Sequence, residues 1–287
     1  IEMRKAYLAC VTFLDEQIGV VLAGLKNQGP DFESNTVVIV TSDHGFGLGE
    51  NGHWGKSSLY EVDTRVPLIV RDPSIPQSRS RKSELLIELV DLYPSIIDLA
   101  GLPQDDILRE AYEGRSFKTI LQNRKMNTET WGRAVAVSML AKCGGNGPLT
   151  SPSPPFLCKR RSNVWFENHG FGIQENDPPP LIGFAARSER WRYVAWMRHN
   201  NSLDAVDWSA PPYAQELYYH GAKSKQRETD LSFDLWDMDN IAKHRREVAA
   251  RHLTILIEVS KRRRGLMGKY AWGRFDETFQ PRCAATS

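Results

Sequence analysis

Asn35-Thr36-Val37-Val38-Ile39-Val40-Thr41 is a short run dominated by β-branched residues and apolar on both faces. Alternation is expected where one face of a strand meets water; continuous apolarity predicts a central parallel strand covered by helices. The segment before it reads as a helix. Apolar side chains recur at i, i+3 and i+4 from Met3 through Ala6, Tyr7, Cys10, Phe13, Leu14, Ile18, Val21 and Leu22 to Leu25, and Asn27 to Pro30 end the pattern. A long amphipathic helix feeding a doubly covered strand predicts an α/β sandwich.

Working outward, a Gly-rich loop fills residues 45–55, and Val66-Pro67-Leu68-Ile69-Val70 predicts the next strand, with Pro67 at its beginning or on an unpaired side because proline lacks an amide hydrogen. Leu85 to Val90 predicts a further strand. Asp91 then caps a helix running to Ala100, with Pro94 in its first turn and Gly101 closing it. The composition changes near residue 140: residues 144–180 hold twelve of the chain's glycines and prolines, too many for regular elements, so a Gly/Pro-rich insertion is expected at 141–180. Beyond it, Ile182 to Met197 and Glu216 to His220 predict strands of a smaller sheet, and Ile241 to Val259 a helix. Two units follow: an α/β unit at 1–125 and a smaller C-terminal α+β subdomain at 126–287.

The 287 residues are 41% hydrophobic and 25% charged, with a formal net charge of +2, which excludes wholesale disorder and any global field for nucleic acid or acidic membranes. No stretch reads as the ~20 apolar residues of a membrane span. The basic run from Lys243 to Arg264 comes without the aromatic pattern of a nucleic-acid module and reads as a solvated helix face. Of the four cysteines, Cys143 and Cys158 either close a loop in an oxidising compartment or stand as free thiols. Asn200-Asn201-Ser202 forms one glycosylation sequon. The opening Ile1-Glu2-Met3-Arg4-Lys5 has no signal-peptide pattern and does not start on Met, which predicts that the chain begins within a longer protein.

The chemistry concentrates in Ser42-Asp43-His44-Gly45-Phe46-Gly47-Leu48-Gly49-Glu50-Asn51-Gly52-His53-Trp54-Gly55-Lys56. Asp43 and His44 follow the buried strand directly, at the carboxyl edge where open α/β sheets bind ligands. A carboxylate and an imidazole together supply a hard oxygen and a nitrogen, half of a divalent-metal site. Glycines let the backbone approach an anion closely, and Lys56 offers a point charge to a tetrahedral oxyanion.

As a whole this string resembles the sulfatase family of the alkaline-phosphatase superfamily, nearest to its iduronate-2-sulfatase branch. There Ser-Asp-His-Gly is followed by Leu-Gly-Glu-x-Gly-x-Trp-x-Lys and then by Arg/His-Val-Pro-Leu-Ile, matched here by Ser42 to Gly45, Leu48 to Lys56 and Arg65 to Ile69. Arg4-Lys5-Ala6-Tyr7 through Asp15, Val90 to Ser95, Leu99 to Pro103 and Glu113 to Ser116 add to the likeness, and Leu181 to Phe184, Arg192 to Trp196, Glu216 to Tyr218 and Asn240 to Ala242 echo it more loosely.

The resemblance implies an alkaline-phosphatase/sulfatase-like sandwich, partial in this chain, with residues 1–125 as the C-terminal part of its catalytic domain. It implies hydrolysis of a sulfate ester, on a sulfated sugar, in a lysosomal or secreted setting. Asp43 and His44 would be ligands of Ca2+, Lys56 would contact the sulfate, and Glu50, Asn51, His53 and Trp54 would shape the site. Asn51 departs from the family, which commonly has His there. The family's nucleophile is a formylglycine made within a Cys/Ser-x-Pro-x-Arg motif, and no such motif occurs in the 287 residues. No catalytic nucleophile is therefore assigned in this chain, and it is expected to be inactive alone. Two rival readings are a phosphonate monoester hydrolase or phosphodiesterase of the same superfamily, and a non-catalytic interaction protein built on the fold.

Overall fold

The computed structural model describes residues 1–103, 112–142, 181–200, 205–206, 208–221, 234 and 237–267. The expected insertion beyond Lys142, with Cys143 and Cys158, the Asn201-Ser202 part of the sequon, and the tail after Met267 lie outside the described residues.

Helix α1 spans Glu2–Asn27. None of its side chains is buried, and Leu8, Val11 and Val20, which stand off the expected stripe, are exposed along with Phe13, Leu14 and Val21. By length and composition α1 could cross a membrane, which corrects the expectation that no stretch is long and apolar enough. Its first two turns are held against the Gly-rich loop: Arg4 Nε donates to Leu48 O at 2.7 Å, and Tyr7 stacks on Phe46 with centroids 5.5 Å apart. A short helix α2 (Pro30–Ser34) turns the chain into β1 (Val38–Thr41).

Among the described residues β1 pairs with one strand, β4 (Leu68–Arg71), and the pairing is antiparallel, with Val38 opposite Arg71 and Thr41 opposite Leu68. The expected central parallel strand is thus a half-exposed member of a two-stranded ladder. Its residues qualify it for burial on both faces, but among the described residues neither face is fully covered. Pro67 stands just before β4, outside the ladder. Between the two strands, β2 (Gly47–Leu48) and β3 (Trp54–Gly55) form a small antiparallel hairpin around a 3-10 turn at Glu50–Gly52, and helix α3 (Glu61–Thr64) follows.

Leu85 to Val90 has strand-like composition but forms no strand. Its backbone groups are taken by side chains instead: Leu86 O accepts from Trp131 Nε1 at 2.8 Å, and Glu88 N donates to Asp91 Oδ2 at 2.8 Å. Helix α4 (Leu92–Leu99) comes next, with Pro94 in its first turn and Gly101 at φ 65° beyond its end. Asp91 does not cap α4 with its side chain. It is fully buried and binds Arg115 N at 2.9 Å and Arg133 Nη2 at 2.6 Å, while Arg133 Nη1 also meets Glu88. Helices α5 (Lys118–Gln122) and α6 (Thr128–Trp131) bring Ile120 and Trp131 together with Phe117 in one buried cluster, against which Leu68, Val70, Leu92 and Leu99 pack.

The C-terminal sheet is antiparallel throughout. Strands β5 (Ala136–Lys142), β6 (Leu181–Arg187) and β7 (Trp191–Asn200) are consecutive neighbours, and β7's other edge carries β8 (Ala205–Val206) and β9 (Ala214–Tyr219). The apolar run expected from Ile182 to Met197 resolves into the β6–β7 hairpin. Strand β5 was not expected; its register is fixed by β6 rather than by a strong pattern of its own. Residues Arg192 to Met197 of β7 are buried on both faces. One face packs on helix α7 (Arg246–Met267), where Ala249 and Leu256 meet Tyr193, Met197 and Leu217. The helix starts five residues later than expected and runs on past Val259. The other face receives Leu59, just beyond the Gly-rich loop, with Ala185, Val194 and Trp196. Leu59 fits because β6 has glycine there: a Cβ on Gly183 would lie 2.6 Å from Leu59 Cδ1.

Candidate active site

Strand β1 delivers Ser42, Asp43 and His44 at its carboxyl end. The backbone of this turn is fixed locally: Ser42 Oγ donates to His44 O at 2.7 Å, and His44 N donates to Asp43 Oδ1 at 3.0 Å. His44 Nδ1 lies 2.9 Å from Gly45 O, which fixes it as the protonated nitrogen and leaves a lone pair on Nε2. That lone pair faces Lys56 Nζ at 3.0 Å. Asp43 remains 84% exposed, with Oδ2 3.4 Å from His44 Nε2. Desolvation acts to raise the Asp43 pKa, but the His44 backbone N–H bond, the adjacent His44 ring and the Lys56 ammonium outweigh it and hold the carboxyl below its ordinary value.

Asp43, His44 and Lys56 line a common cavity of about 1300 Å³ with Glu61, Asp63, Arg187 and Arg192. The structure therefore brings three of the expected site residues together. Glu50, Asn51, His53 and Trp54 do not line that cavity. Glu50 Oε2 folds back to accept from Leu48 N at 2.6 Å, Asn51 takes a left-handed turn position at φ 54°, and Trp54 lies over Gly49 and is 42% exposed. These residues shape the loop rather than the cavity wall.

His53 does something the sequence did not signal. Its Nε2 lies 3.1 Å from Asp63 Oδ2, and both side chains are largely buried. Nor did the sequence signal the charges behind helix α3. Glu61 N donates to Asp237 Oδ2 at 2.6 Å; Arg187 Nε pairs with Glu61 at 3.1 Å; Arg192 Nε stands 3.2 Å from Asp237, which also holds His220 Nε2 at 2.8 Å. Arg192 Nη1 donates to Thr64 Oγ1 at 3.1 Å. The C-terminal sheet thus grips α3, and α3 backs the loop that carries Lys56. A pairing across 176 positions leaves no local pattern to read.

Chemically, the cluster supplies one exposed carboxylate, one imidazole lone pair and one ammonium group on a shared wall. Among the described residues no three His, Cys, Asp or Glu side chains converge as a metal-binding group; Asp43 and His44 offer one carboxylate and one imidazole nitrogen.

Residues 1–102, which contain this whole cluster, match the model of the sulfatase family. Over this stretch the chain is similar to sulfatases. A sulfatase of Formosa agariphila is 35% identical over 123 residues, covering 43% of this chain and 22% of that protein. Iduronate 2-sulfatase of Mus musculus is 39% identical over 125 residues, covering 36% of this chain and 22% of its own length. The chain thus aligns with about a fifth of the length of these curated relatives. In fold, the crystal structure of the phosphonate monoester hydrolase of Agrobacterium radiobacter superposes with a TM-score of 0.56 at 19% identity, over 86% of this chain and 39% of that one. The partial sandwich expected from the sequence is therefore a sulfatase-like α/β fold with a smaller sheet-and-helix unit behind it.

Proposed function

We propose that this chain contributes the Asp43, His44 and Lys56 part of the active site of a sulfate-ester hydrolase. The observation that carries the reading is the approach of Lys56 Nζ to His44 Nε2, 3.0 Å apart beside Asp43, within the stretch that matches the sulfatase family. A sulfate ester presents anionic oxygens around sulfur, and its hydrolysis is favoured by positive charge placed before those oxygens gain more negative charge. Lys56 is the residue to meet one of them: its ammonium is held at the cavity wall and needs only to exchange the His44 nitrogen for a sulfate oxygen.

The donor chemistry of Asp43 and His44 fits a hard divalent cation. The carboxylate is ionised and open, and the imidazole keeps Nε2 unprotonated on the same side. Calcium held there would neutralise ester oxygens as a Lewis acid. The hydroxyl or hydrate that attacks sulfur is not assigned to any of the 287 residues, which lack a Cys/Ser-x-Pro-x-Arg motif. A formylglycine borne on another segment would complete the site. A sulfated sugar is the substrate class we favour, by the likeness to a relative named for sulfated iduronate, with a lysosomal or secreted setting.

The test is a calcium titration followed by the His44 ring resonances. Calcium is expected to shift His44 with a dissociation constant of about 1 mM, the weak end for calcium sites, and Asp43→Asn is expected to abolish the shift. A His44 signal indifferent to tens of millimolar calcium would contradict the proposal.

A further inference from the structure

Asp63 lies outside every motif quoted for the family, and His53 occupies a position that the Leu-Gly-Glu-x-Gly-x-Trp-x-Lys pattern leaves open. Yet Asp63 is 4% exposed and holds the Gly-rich loop at three separate points. Its backbone oxygen accepts from Gly45 N at 2.8 Å, one residue after His44. Its Oδ2 accepts from Ser58 N at 2.7 Å, two residues after Lys56. The same oxygen pairs with His53 Nε2 at 3.1 Å, which anchors the β2–β3 hairpin lying between those arms. One residue therefore ties down the chain next to His44, the chain next to Lys56 and the connection between them.

From this juxtaposition we infer that Asp63 is a positioning residue: it sets the distance between Lys56 and His44, with His53 as its second arm. Lys56 has four rotatable side-chain bonds and cannot by itself hold a fixed geometry; its ammonium is placed by the backbone on which it starts. The backbone beside His44 has little room as well, since a Cβ on Gly45 would fall 1.9 Å from Val62 O. The C-terminal sheet braces α3 from behind through Glu61, so the two carboxylates of this short helix have separate jobs: Glu61 holds the helix, Asp63 holds the loop.

The inference rests on reading Lys56 and His44 as one site, but its test measures geometry alone. In the full 287-residue chain, the His44 ring nitrogen signals are recorded for the wild type, for Lys56→Ala as the reference for a lost Nζ–Nε2 bond, and for Asp63→Ala, Asp63→Asn and Glu61→Gln. Asp63→Ala is expected to move the His44 signal to the Lys56→Ala position. Asp63→Asn, which loses the charge facing His53 but keeps an oxygen for Ser58 N, is expected to move it part of the way. Glu61→Gln is expected to leave it in place. A wild-type His44 signal in Asp63→Asn or Asp63→Ala would overturn the inference, as would an equal shift in Glu61→Gln, which would mean that α3 acts only as general support. Should Asp63→Ala not fold, Asp63→Asn decides alone. Failure of the functional reading would show separately, as a wild-type chain that ignores calcium.

Discussion

Gly45 sits where the chain leaves His44 and lies flush against helix α3, and adding one methyl group there is expected to be disproportionately costly. An ideal Cβ on Gly45 would stand 1.9 Å from Val62 O, 2.9 Å from Val62 C and 3.2 Å from Asp63 Cα. All three are backbone atoms, so no side-chain rotation can relieve the contact. The loop and α3 must separate by roughly 1.5 Å to restore a normal contact, and that movement breaks the 2.8 Å Gly45 N–H to Asp63 O hydrogen bond. Overpacking of this kind costs about 1–3 kcal/mol, and the lost bond about 1 kcal/mol more. Gly45→Ala is thus expected to lower the unfolding free energy by about 2–4 kcal/mol, read as a fall in the urea midpoint at constant slope. The same methyl group at Gly19 in helix α1 meets nothing within 4 Å, and Gly19→Ala is expected to stabilise by about 0.5–1 kcal/mol. The pair isolates close approach from the chemistry of the substitution. A Gly45→Ala chain within about 0.5 kcal/mol of wild type, with an unshifted His44 signal, would refute the packing argument.

Three further outcomes are expected. Asp237→Ala leaves buried Arg192 and His220 without their shared carboxylate and is expected to destabilise by about 3–5 kcal/mol in equilibrium unfolding. His252 is buried on α7 against Tyr193, and burial, aided by the charge of Arg251 and opposed by the Val248 carbonyl, lowers its pKa below the ordinary 6.5. The unfolded chain therefore takes up this proton first as pH falls, so stability is fully present above about 6.5 and declines below it, and His252→Gln is expected to flatten that slope in urea titrations at several pH values. Leu256→Ala empties a fully buried position between α7 and the sheet and is expected to cost about 2–5 kcal/mol by the same measurement.

The comparison between sequence and structure divides along the range of the interactions. Helix α1, the start of β4 after Pro67, and α4 with its glycine stop were legible because periodicity and turn chemistry are local. The Asp43–His44 turn and Lys56 were legible as a string, and the loop folds them onto one wall. The direction of β1's pairing was not legible: continuous apolarity reports a strand fit for burial on two faces, and says nothing about which neighbour lies beside it. Leu85 to Val90 misled because strand composition cannot reveal that Trp131 and Asp91 will take its backbone groups. Membrane-spanning length in α1 was not legible as unbroken apolarity, because a few charges dispersed over its 26 residues interrupt the run yet leave the helix apolar overall. Glu61, Asp237 and Arg192 lay beyond reach for a simpler reason. Their partners are set by how the second unit meets the first, and a carboxylate in a short helix looks the same whether it faces water or a buried arginine.

The central claim is that Asp43, His44 and Lys56 form one anion- and cation-binding wall. A crystal structure of the 287-residue chain soaked with calcium and an aryl sulfate tests it most directly. Calcium bound by the Asp43 carboxylate and His44 Nε2, with a sulfate oxygen within hydrogen-bond reach of Lys56 Nζ, is the predicted result. Calcium and sulfate bound elsewhere, with Lys56 still on His44 and Asp43 untouched, would contradict the account.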